Sequence, residues 1–250
     1  MQRYFVENEQ MSDKRVTIGR DDAAHITKVM RMQPGDLIVC INQEKRAVSC
    51  ELETVAMTEV TALIKEELQT NTELPISVTI AQGLPKGDKL DLIVQKGTEL
   101  GAVGFLPFSA ARSIVKWDAK KGAKKQERLE KIAKESAEQS YRLIVPTIHS
   151  SSSIKQLAEL INTFTACVVL AEEEAKANET QAFAAQLQGL NPGDSLLVII
   201  GPEGGITKEE QLEFERAGAK ACGLGPRILR TETASLAALA AISYHYELMR

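Results

Sequence analysis

The sequence has 250 residues, of which 44% are hydrophobic, so it can form one large core or two modest ones, which excludes a disordered chain. Its 30 lysines and arginines are outnumbered by 34 aspartates and glutamates, and any nucleic-acid site must therefore be local. The first ten residues lack the apolar core of a signal peptide, and no segment approaches the length of a membrane span, so we expect a cytoplasmic protein.

Residues 1 to about 70 contain short β-rich runs, separated by turn signals such as Pro34-Gly35-Asp36. The runs are Val16–Ile18, Leu37–Ile41, Ala47–Glu53 and Thr58–Ile64. With one helical pattern near residues 23–30, they predict a small β-barrel. The stretch Leu68–Pro75 is polar, has no periodicity and ends in proline, so we expect a linker there and place the two domains at 1–70 and 71–250.

From Ile76 onward, apolar runs typical of buried strands alternate with helical patterns. The strand-like runs are Ile76–Ala81, Val103–Pro107, Cys167–Leu170, Leu196–Ile200 and Ala219–Leu224. The helical patterns are Leu90–Leu100, Lys124–Tyr141, Ile154–Leu160, Gln181–Leu187 and Glu209–Ala217. This alternation predicts a parallel sheet with helices on both faces. The last segment, ASLAALAAISYHYELM, is apolar on nearly every side, which favours burial all round, for example against another subunit.

The cysteines and histidines give no sign of a metal site. They lie far apart, with no C-x-x-C pair and no H-E-x-x-H, at Cys40, Cys50, Cys167, Cys222, His25, His149 and His245. We expect neither a bound metal nor a disulfide framework.

The segment IIGPEGGITKEEQ, residues 199–211, joins a predicted buried strand to a predicted helix. Thr207 and Glu210 have the spacing of a capping box, so a helix should begin at about Thr207. The glycines therefore lie in a strand-to-helix loop. Ligands bind at the carboxyl ends of strands in open α/β sheets, and glycine lets a ligand approach the backbone closely.

Two phosphate-binding fingerprints fail or match weakly here. No Gly-Lys-[Ser/Thr] closes the loop, so a Walker A motif is absent, which disfavours a nucleotide-binding hydrolase. The segment Gly223–Ile228 has only the first two glycines of G-x-G-x-x-G. Pro202 also removes a backbone N–H that a phosphate would use. The ligand is therefore not expected to be held by phosphates.

A second strand-to-helix loop, LGPRILRTETAS at residues 224–235, concentrates arginines, hydroxyls and a carboxylate. In one interpretation Arg227 and Arg230 are ordinary surface charges, and Thr231 or Thr233 is only a helix cap. The presence of two such loops after neighbouring strands favours a common site.

These motifs resemble the RsmE family of SPOUT-class methyltransferases. The resemblance rests on IGPEGG at 200–205 and LGPRILRTETA at 224–234, and it covers essentially the whole chain. Further similar segments are KGDKLDLIVQKGTELGA at 86–102, residues 109–113, ERLEKIAKESAEQSYRLIVP at 127–146, RYF at 3–5 and residues 25–36.

The resemblance implies a PUA-like β-barrel ahead of a SPOUT domain, an α/β domain whose parallel sheet ends in a C-terminal trefoil knot. It implies a homodimer that uses S-adenosylmethionine to methylate N3 of a uridine in 16S ribosomal RNA of the small subunit. The implied cofactor-binding residues are Leu170, Glu172, Gly201, Pro202, Glu203, Gly204, Gly205, Leu224, Gly225, Ile228, Leu229, Arg230, Thr233 and Ala234.

Methylation at uridine N3 requires loss of the N3 proton, which calls for a base or for cations that stabilise the uridinate. Arg230 is the candidate for charge stabilisation, and Glu232 or Glu203 is the candidate base. Glu232 has an equally good structural interpretation as the partner of an arginine.

RNA binding needs a basic surface, and residues 112–142 contain ten lysines and arginines against five acidic residues. The candidate RNA contacts are Arg3, Arg31, Arg112, Lys116, Lys124, Lys125 and Arg142. We expect a mobile loop at Lys120–Lys125, although a charged run is often only a solvated helix face. Two rival functions are methylation of another RNA, such as tRNA, and a non-catalytic RNA-binding protein.

Overall fold

A computed structural model describes residues 1–117, 119–171 and 181–249, without the side chains of residues 119 and 120. The chain divides into two units, which are described separately. One comprises Met1–Glu73 with Ala137–Val145, and the other comprises Leu74–Ser136 with Pro146–Arg250. No helix in the described ranges has the length and hydrophobicity that a membrane crossing needs.

The first unit is built on a five-stranded sheet with the order β1-β3-β4-β5-β2. Its strands are β1 (Gln2–Phe5), β2 (Arg15–Ile18), β3 (Leu37–Ile41), β4 (Ala47–Val55) and β5 (Val60–Glu67). Strands β1 and β3 run parallel, whereas the remaining pairs are antiparallel. Bulges in β4 at Ser49/Cys50 and Leu52/Thr54 add local twist, as expected for a curled sheet. The prediction of a PUA-like barrel is confirmed.

One short helix, α1 (Arg20–Ala24), continues into a π-helical turn at His25–Val29 and contributes to the core of this unit. Ile26 is fully buried together with Tyr4 and Ile38 of the sheet. The Tyr4 hydroxyl lies 3.1 Å from His25 Nδ1, so the histidine is a packing partner of the barrel.

Residues 137–145 belong with the first unit because of a buried ion pair. Arg142 is 2% exposed, and its Nε lies 2.9 and 3.0 Å from the two carboxylate oxygens of Glu73. Leu143 packs with Val39 and Ile41 of β3. The boundary expected at residue 70 did not include this segment.

Two predicted RNA contacts have structural roles in this unit. The carboxylate of Glu73 neutralises Arg142, so the assignment of Arg142 to RNA binding is corrected. Arg3 is 6% exposed; its guanidinium lies 4.3 Å from the centre of the Tyr141 ring and donates to the Tyr141 carbonyl. Its assignment is corrected in the same way, because a buried, stacked guanidinium does not present its charge to a phosphate.

The second unit is an α/β unit with a sheet of parallel strands, as predicted. In the described ranges the strand order is β12-β10-β11-β6-β7-β8, and β9 also pairs with β7. The strands are β6 (Ser77–Gly83), β7 (Gly104–Ser109), β8 (Thr147–Ile148), β9 (Ser152–Ser153), β10 (Ala166–Leu170), β11 (Ser195–Ile200) and β12 (Lys220–Cys222). Strands β10, β11 and β6 lie inside the sheet, which explains their continuous apolar sequences.

The helices that accompany this sheet begin and end close to the predicted patterns. They are α2 (Lys89–Glu99), α3 (Ala119–Gln139), α4 (Ile154–Ile161), α5 (Ala182–Gln188), α6 (Lys208–Arg216) and α7 (Thr231–Ser243), followed by a π-helical turn at Tyr244–Leu248. The last three residues of α3, 137–139, belong to the first unit. Ala238, Leu239 and Ile242 of α7 are buried.

The prediction of a mobile loop at Lys120–Lys125 is wrong, because α3 is continuous from residue 119. Alanine, lysine and glutamine are strong helix formers, and the single glycine at 122 costs only about 1 kcal/mol. The trefoil knot and the homodimer stay predictions.

We predict that Glu73→Ala destabilises the first unit by about 3–5 kcal/mol, because it leaves the buried Arg142 guanidinium without its counter-ion. Urea unfolding followed by circular dichroism measures the loss. Lys65→Ala is the matched control: it removes an exposed ion pair with Glu51 and should cost less than about 1 kcal/mol. Equal, small effects of both substitutions would contradict the structural role of the buried pair.

Candidate functional site

A cavity of about 460 Å³ lies in the second unit, where β10 and β11 end. Nine of the predicted cofactor-binding residues line it: Leu170, Gly201, Pro202, Glu203, Gly205, Ile228, Leu229, Arg230 and Ala234. Leu224 lines a smaller cavity of about 50 Å³ that shares Leu170 and Ile228 with the first. Gly204, Gly225 and Thr233 line neither cavity, and Glu172 lies outside the described residues.

Sequence reasoning missed several other residues of the wall. The apolar and hydroxyl members are Ala171, Ile200, Ile206 and Thr231, and the polar and charged ones are Lys89, Lys208 and Gln211. Arg112, predicted as an RNA contact, also lines the cavity. Lys89 reaches the site because β6, which precedes α2, pairs with β11. Strand adjacency of this kind cannot be read from one sequence.

The Gly-Pro-Glu-Gly-Gly segment folds back on itself. A Cβ added at Gly201 would lie 2.9 Å from the Gly205 carbonyl carbon and 3.0 Å from the backbone nitrogen of Ile206. On the neighbouring strand β6, a Cβ added at Gly83 would lie 2.5 Å from Pro202 Cδ. Gly205 has φ +71°, a conformation that favours glycine. Glycine at these positions lets the loop pack closely on itself and on β6, and Gly201 and Gly205 line the cavity.

A buried polar cluster lies beneath this loop and consists of Gln82, Gly201, Thr231 and Ser235. Gln82 is fully buried, and its amide nitrogen donates to Thr231 Oγ1 at 2.8 Å and to the Gly201 carbonyl at 3.3 Å. The Thr231 hydroxyl donates to the same carbonyl at 2.6 Å, and Ser235 Oγ donates to Gln82 Oε1 at 2.7 Å. The Gln82 cluster thus joins β6, the loop after β11 and the start of α7.

The two candidate bases share one cation at the rim of the cavity. Lys89 Nζ lies 2.9 Å from Glu203 Oε1 and 3.2 Å from Glu232 Oε2. Glu203 also accepts a hydrogen bond from the Lys86 backbone N–H at 3.1 Å. Burial opposes ionisation of Glu203, but the hydrogen bonds from Lys89 and from backbone N–H groups outweigh it and lower the pKa of Glu203. The partner of Glu232 is a lysine and not the arginine considered from the sequence.

The helix α6 begins where its capping box predicted. Thr207 Oγ1 accepts from the Glu210 backbone N–H at 3.2 Å, and Glu210 Oε2 accepts from the Thr207 N–H at 2.9 Å. The other oxygen of this buried carboxylate accepts from the Ala111 N–H at 2.6 Å. This contact holds the loop after β7, from which Arg112 donates to the Gly204 carbonyl at 3.1 Å.

Cations dominate the rim of the cavity. Arg230 is exposed and lines the cavity. Of the remaining predicted RNA contacts, Lys116, Lys124 and Arg31 are exposed and Lys125 is half-buried. Among the described residues, no group of three or more histidines, cysteines or carboxylates is placed to hold a metal ion.

This chain is similar to known RNA methyltransferases. A family model described as an RNA methyltransferase domain matches residues 72–243, and one described as an RNA methyltransferase PUA domain matches residues 18–65. Ribosomal RNA small subunit methyltransferase E of Bacillus subtilis is 51% identical, over 100% of this chain and 99% of the relative. The chain belongs to this RNA methyltransferase family. The resemblance seen in the sequence is confirmed.

Members of the family are also similar in structure. A ribosomal RNA small subunit methyltransferase E from Neisseria gonorrhoeae, bound to S-adenosyl methionine, has a TM-score of 0.85 and 28% identity over 98% of both chains. A methyltransferase structure from Legionella pneumophila, also with bound cofactor SAM, has a TM-score of 0.85 and 27% identity over 97% of both chains. The predicted cofactor agrees with these two structures.

We predict that Gly201→Ala weakens the binding of S-adenosylmethionine at least about tenfold, since the added Cβ forces the backbone at Gly205 to move. Isothermal titration calorimetry measures the affinity. Gly122→Ala is the control, because its Cβ would lie 4.0 Å from the nearest atom, in Trp117. Wild-type affinity in Gly201→Ala would refute the assignment of this loop to the cofactor.

Proposed function

We propose that this protein transfers a methyl group from S-adenosylmethionine to N3 of one uridine in 16S ribosomal RNA of the small subunit. The observation that carries the proposal is the cavity of about 460 Å³ after β10 and β11, which is lined by the glycine loop and by several cations. Membership of the RNA methyltransferase family and the names of its relatives support it.

The residues of the cavity fit this cofactor. Its volume lies in the range of about 300–1,000 Å³ that small-ligand sites have. Leu170, Ile200 and Leu229 offer apolar surface to a purine ring, and Gly205, which has φ +71°, lines the cavity without a side chain. When bound, the cofactor supplies a methyl group on a positively charged sulfonium.

The chain's own contribution is to bind, orient and stabilise charge. Loss of the N3 proton to solvent leaves a uridinate, whose negative charge spreads onto the uracil oxygens, and fixed cations stabilise this charge best in a site that then excludes water. N3 of the uridinate forms the nitrogen–carbon bond as the sulfur–carbon bond breaks, which leaves the methylated uracil neutral. Arg230 and Arg112 line the cavity and are the residues we assign to this role.

Three further features belong to the proposal. The C-terminal segment forms the trefoil knot of SPOUT enzymes, and the active species is a cytoplasmic homodimer. Apolar residues exposed beyond α7, namely Tyr244, Leu248 and Met249, support a subunit interface there.

We expect the purified protein to transfer labelled methyl from S-adenosylmethionine to small ribosomal subunits isolated from cells that lack it. Nucleoside analysis should show N3-methyluridine at one site, and Gly201→Ala should transfer little label. Label in a different nucleoside, or in tRNA only, would overturn the proposed substrate. Cofactor binding without any transfer would refute the proposed substrate, whereas an absence of cofactor binding would favour the non-catalytic RNA-binding alternative.

RNA binding should depend on the start of α3. We predict that Lys124→Glu with Lys125→Glu weakens binding of 16S ribosomal RNA and makes the slope of log K against log salt less negative by about 1.5–2. Filter binding between about 50 and 200 mM salt measures both quantities. Lys155→Glu with Lys220→Glu, at exposed positions of α4 and β12, makes the same charge change and should have little effect. Equal slopes of log K against log salt in the two double variants would contradict the assignment of α3 to RNA binding.

A further inference from the structure

Three chain segments meet at the ammonium of Lys89. Lys89 is the first residue of α2, Glu203 lies in the loop after β11, and Glu232 lies in the first turn of α7. The exposed fractions of the three side chains are 30%, 30% and 16%, so solvent screens their attraction only in part. The Lys89 triad, formed by Lys89, Glu203 and Glu232, therefore joins α2 to two segments that the Gln82 cluster also connects, the loop after β11 and the start of α7.

We propose that Lys89 is a positioning residue for methyl transfer, whose ammonium holds the Glu203 loop against the start of α7, and that Glu203 and Glu232 act as its counter-ions rather than as general bases. This inference rests on the proposed function, since it assigns roles within the same cofactor site.

The charges support this assignment. A carboxylate base works best when its pKa is raised toward neutrality, whereas the pKa of Glu203 is lowered. Hydrogen bonds with Glu203 and Glu232 raise the pKa of Lys89, so the Lys89 ammonium stays charged at neutral pH. Among the described residues, the other charged groups that line the cavity are cations, namely Arg112 after β7, Lys208 of α6 and Arg230 before α7.

Without the ammonium, the two carboxylates face each other unneutralised. Like charges raise each other's pKa, so in Lys89→Met one of them should take up a proton at mildly acidic pH. At a pH above that raised pKa both carboxylates are charged, and their repulsion opens the cavity. As the pH falls through the raised pKa, one carboxylate takes up a proton and the repulsion is relieved. In the wild type the carboxylates are paired and the pKa of Glu203 is lowered, so cofactor affinity should change little between about pH 5.5 and 8.

Calorimetry with S-adenosylmethionine tests this arrangement. We expect Lys89→Met to bind about tenfold more weakly than wild type at pH 8 and to recover part of that loss near pH 5.5. Adding Glu232→Gln should restore affinity at pH 8 by removing the repulsion, and Lys89→Arg should retain it. Lys96→Met is the matched control, because it removes a lysine of the same helix that pairs only on the surface with Glu99.

The cofactor-free chain provides a second readout. The melting temperature of Lys89→Met should fall by about 2–4 °C relative to Lys96→Met at pH 8, and the difference should shrink near pH 5.5. Wild-type affinity and melting temperature in Lys89→Met, or failure of Glu232→Gln to rescue either, would overturn the positioning role. This measurement decides the role of Lys89 even if the proposed methyl transfer fails.

The rate of methyl transfer tests whether Glu203 and Glu232 are counter-ions or general bases. Glu203→Gln and Glu232→Gln should each keep the wild-type dependence of rate on pH. A change in that dependence, or a loss of about 10²–10⁴ in the rate of Glu232→Gln at saturating cofactor, the size typical of removing a general base, would overturn the counter-ion role.

Discussion

One carbonyl group, that of Gly201, has to stay fixed for the candidate site to exist. Gly201 directly follows β11, a strand inside the sheet, and its carbonyl accepts hydrogen bonds from Gln82 and from Thr231. Because Gln82 and Thr231 lie 119 and 30 residues away in the sequence, this one group joins β6, β11 and α7. A buried carbonyl that loses its donors pays the cost of desolvation without compensation, so the three elements are held in one arrangement.

Two kinds of interaction hold the site together, one between buried groups and one between partly exposed groups. The buried Gln82 cluster uses neutral amide and hydroxyl groups, whose hydrogen bonds offset the cost of desolvation. The Lys89 triad lies at the partly exposed rim, where ions remain hydrated enough for pairing to be favourable. Between the two layers, the loop from Gly201 to Gly205 has little freedom, and a cavity shaped in advance loses less entropy when a ligand binds.

Much of the fold and part of the site could be predicted from local sequence. The strands β10 and β11 were clear because burial on both faces leaves an unbroken apolar run, and the capping box of Thr207 and Glu210 marked the start of α6. Lys89 and Gln82 were missed because their roles depend on the pairing of β6 with β11, which no local pattern encodes. The sequence alone predicts surface cations at Arg3 and Arg142, because arginine is rarely buried and the partners of these two residues lie 138 and 69 residues away.

The buried pair of Glu73 and Arg142 also bears on how the chain is made. The first unit is discontinuous in sequence, since residues 137–145 return to it after the chain has begun the second unit. During synthesis, the strands β1–β5 emerge well before the arginine that neutralises Glu73 and before Leu143, which packs on β3. The barrel therefore reaches its final stability only after the chain has passed through α3, and the folding of the two units is linked in time.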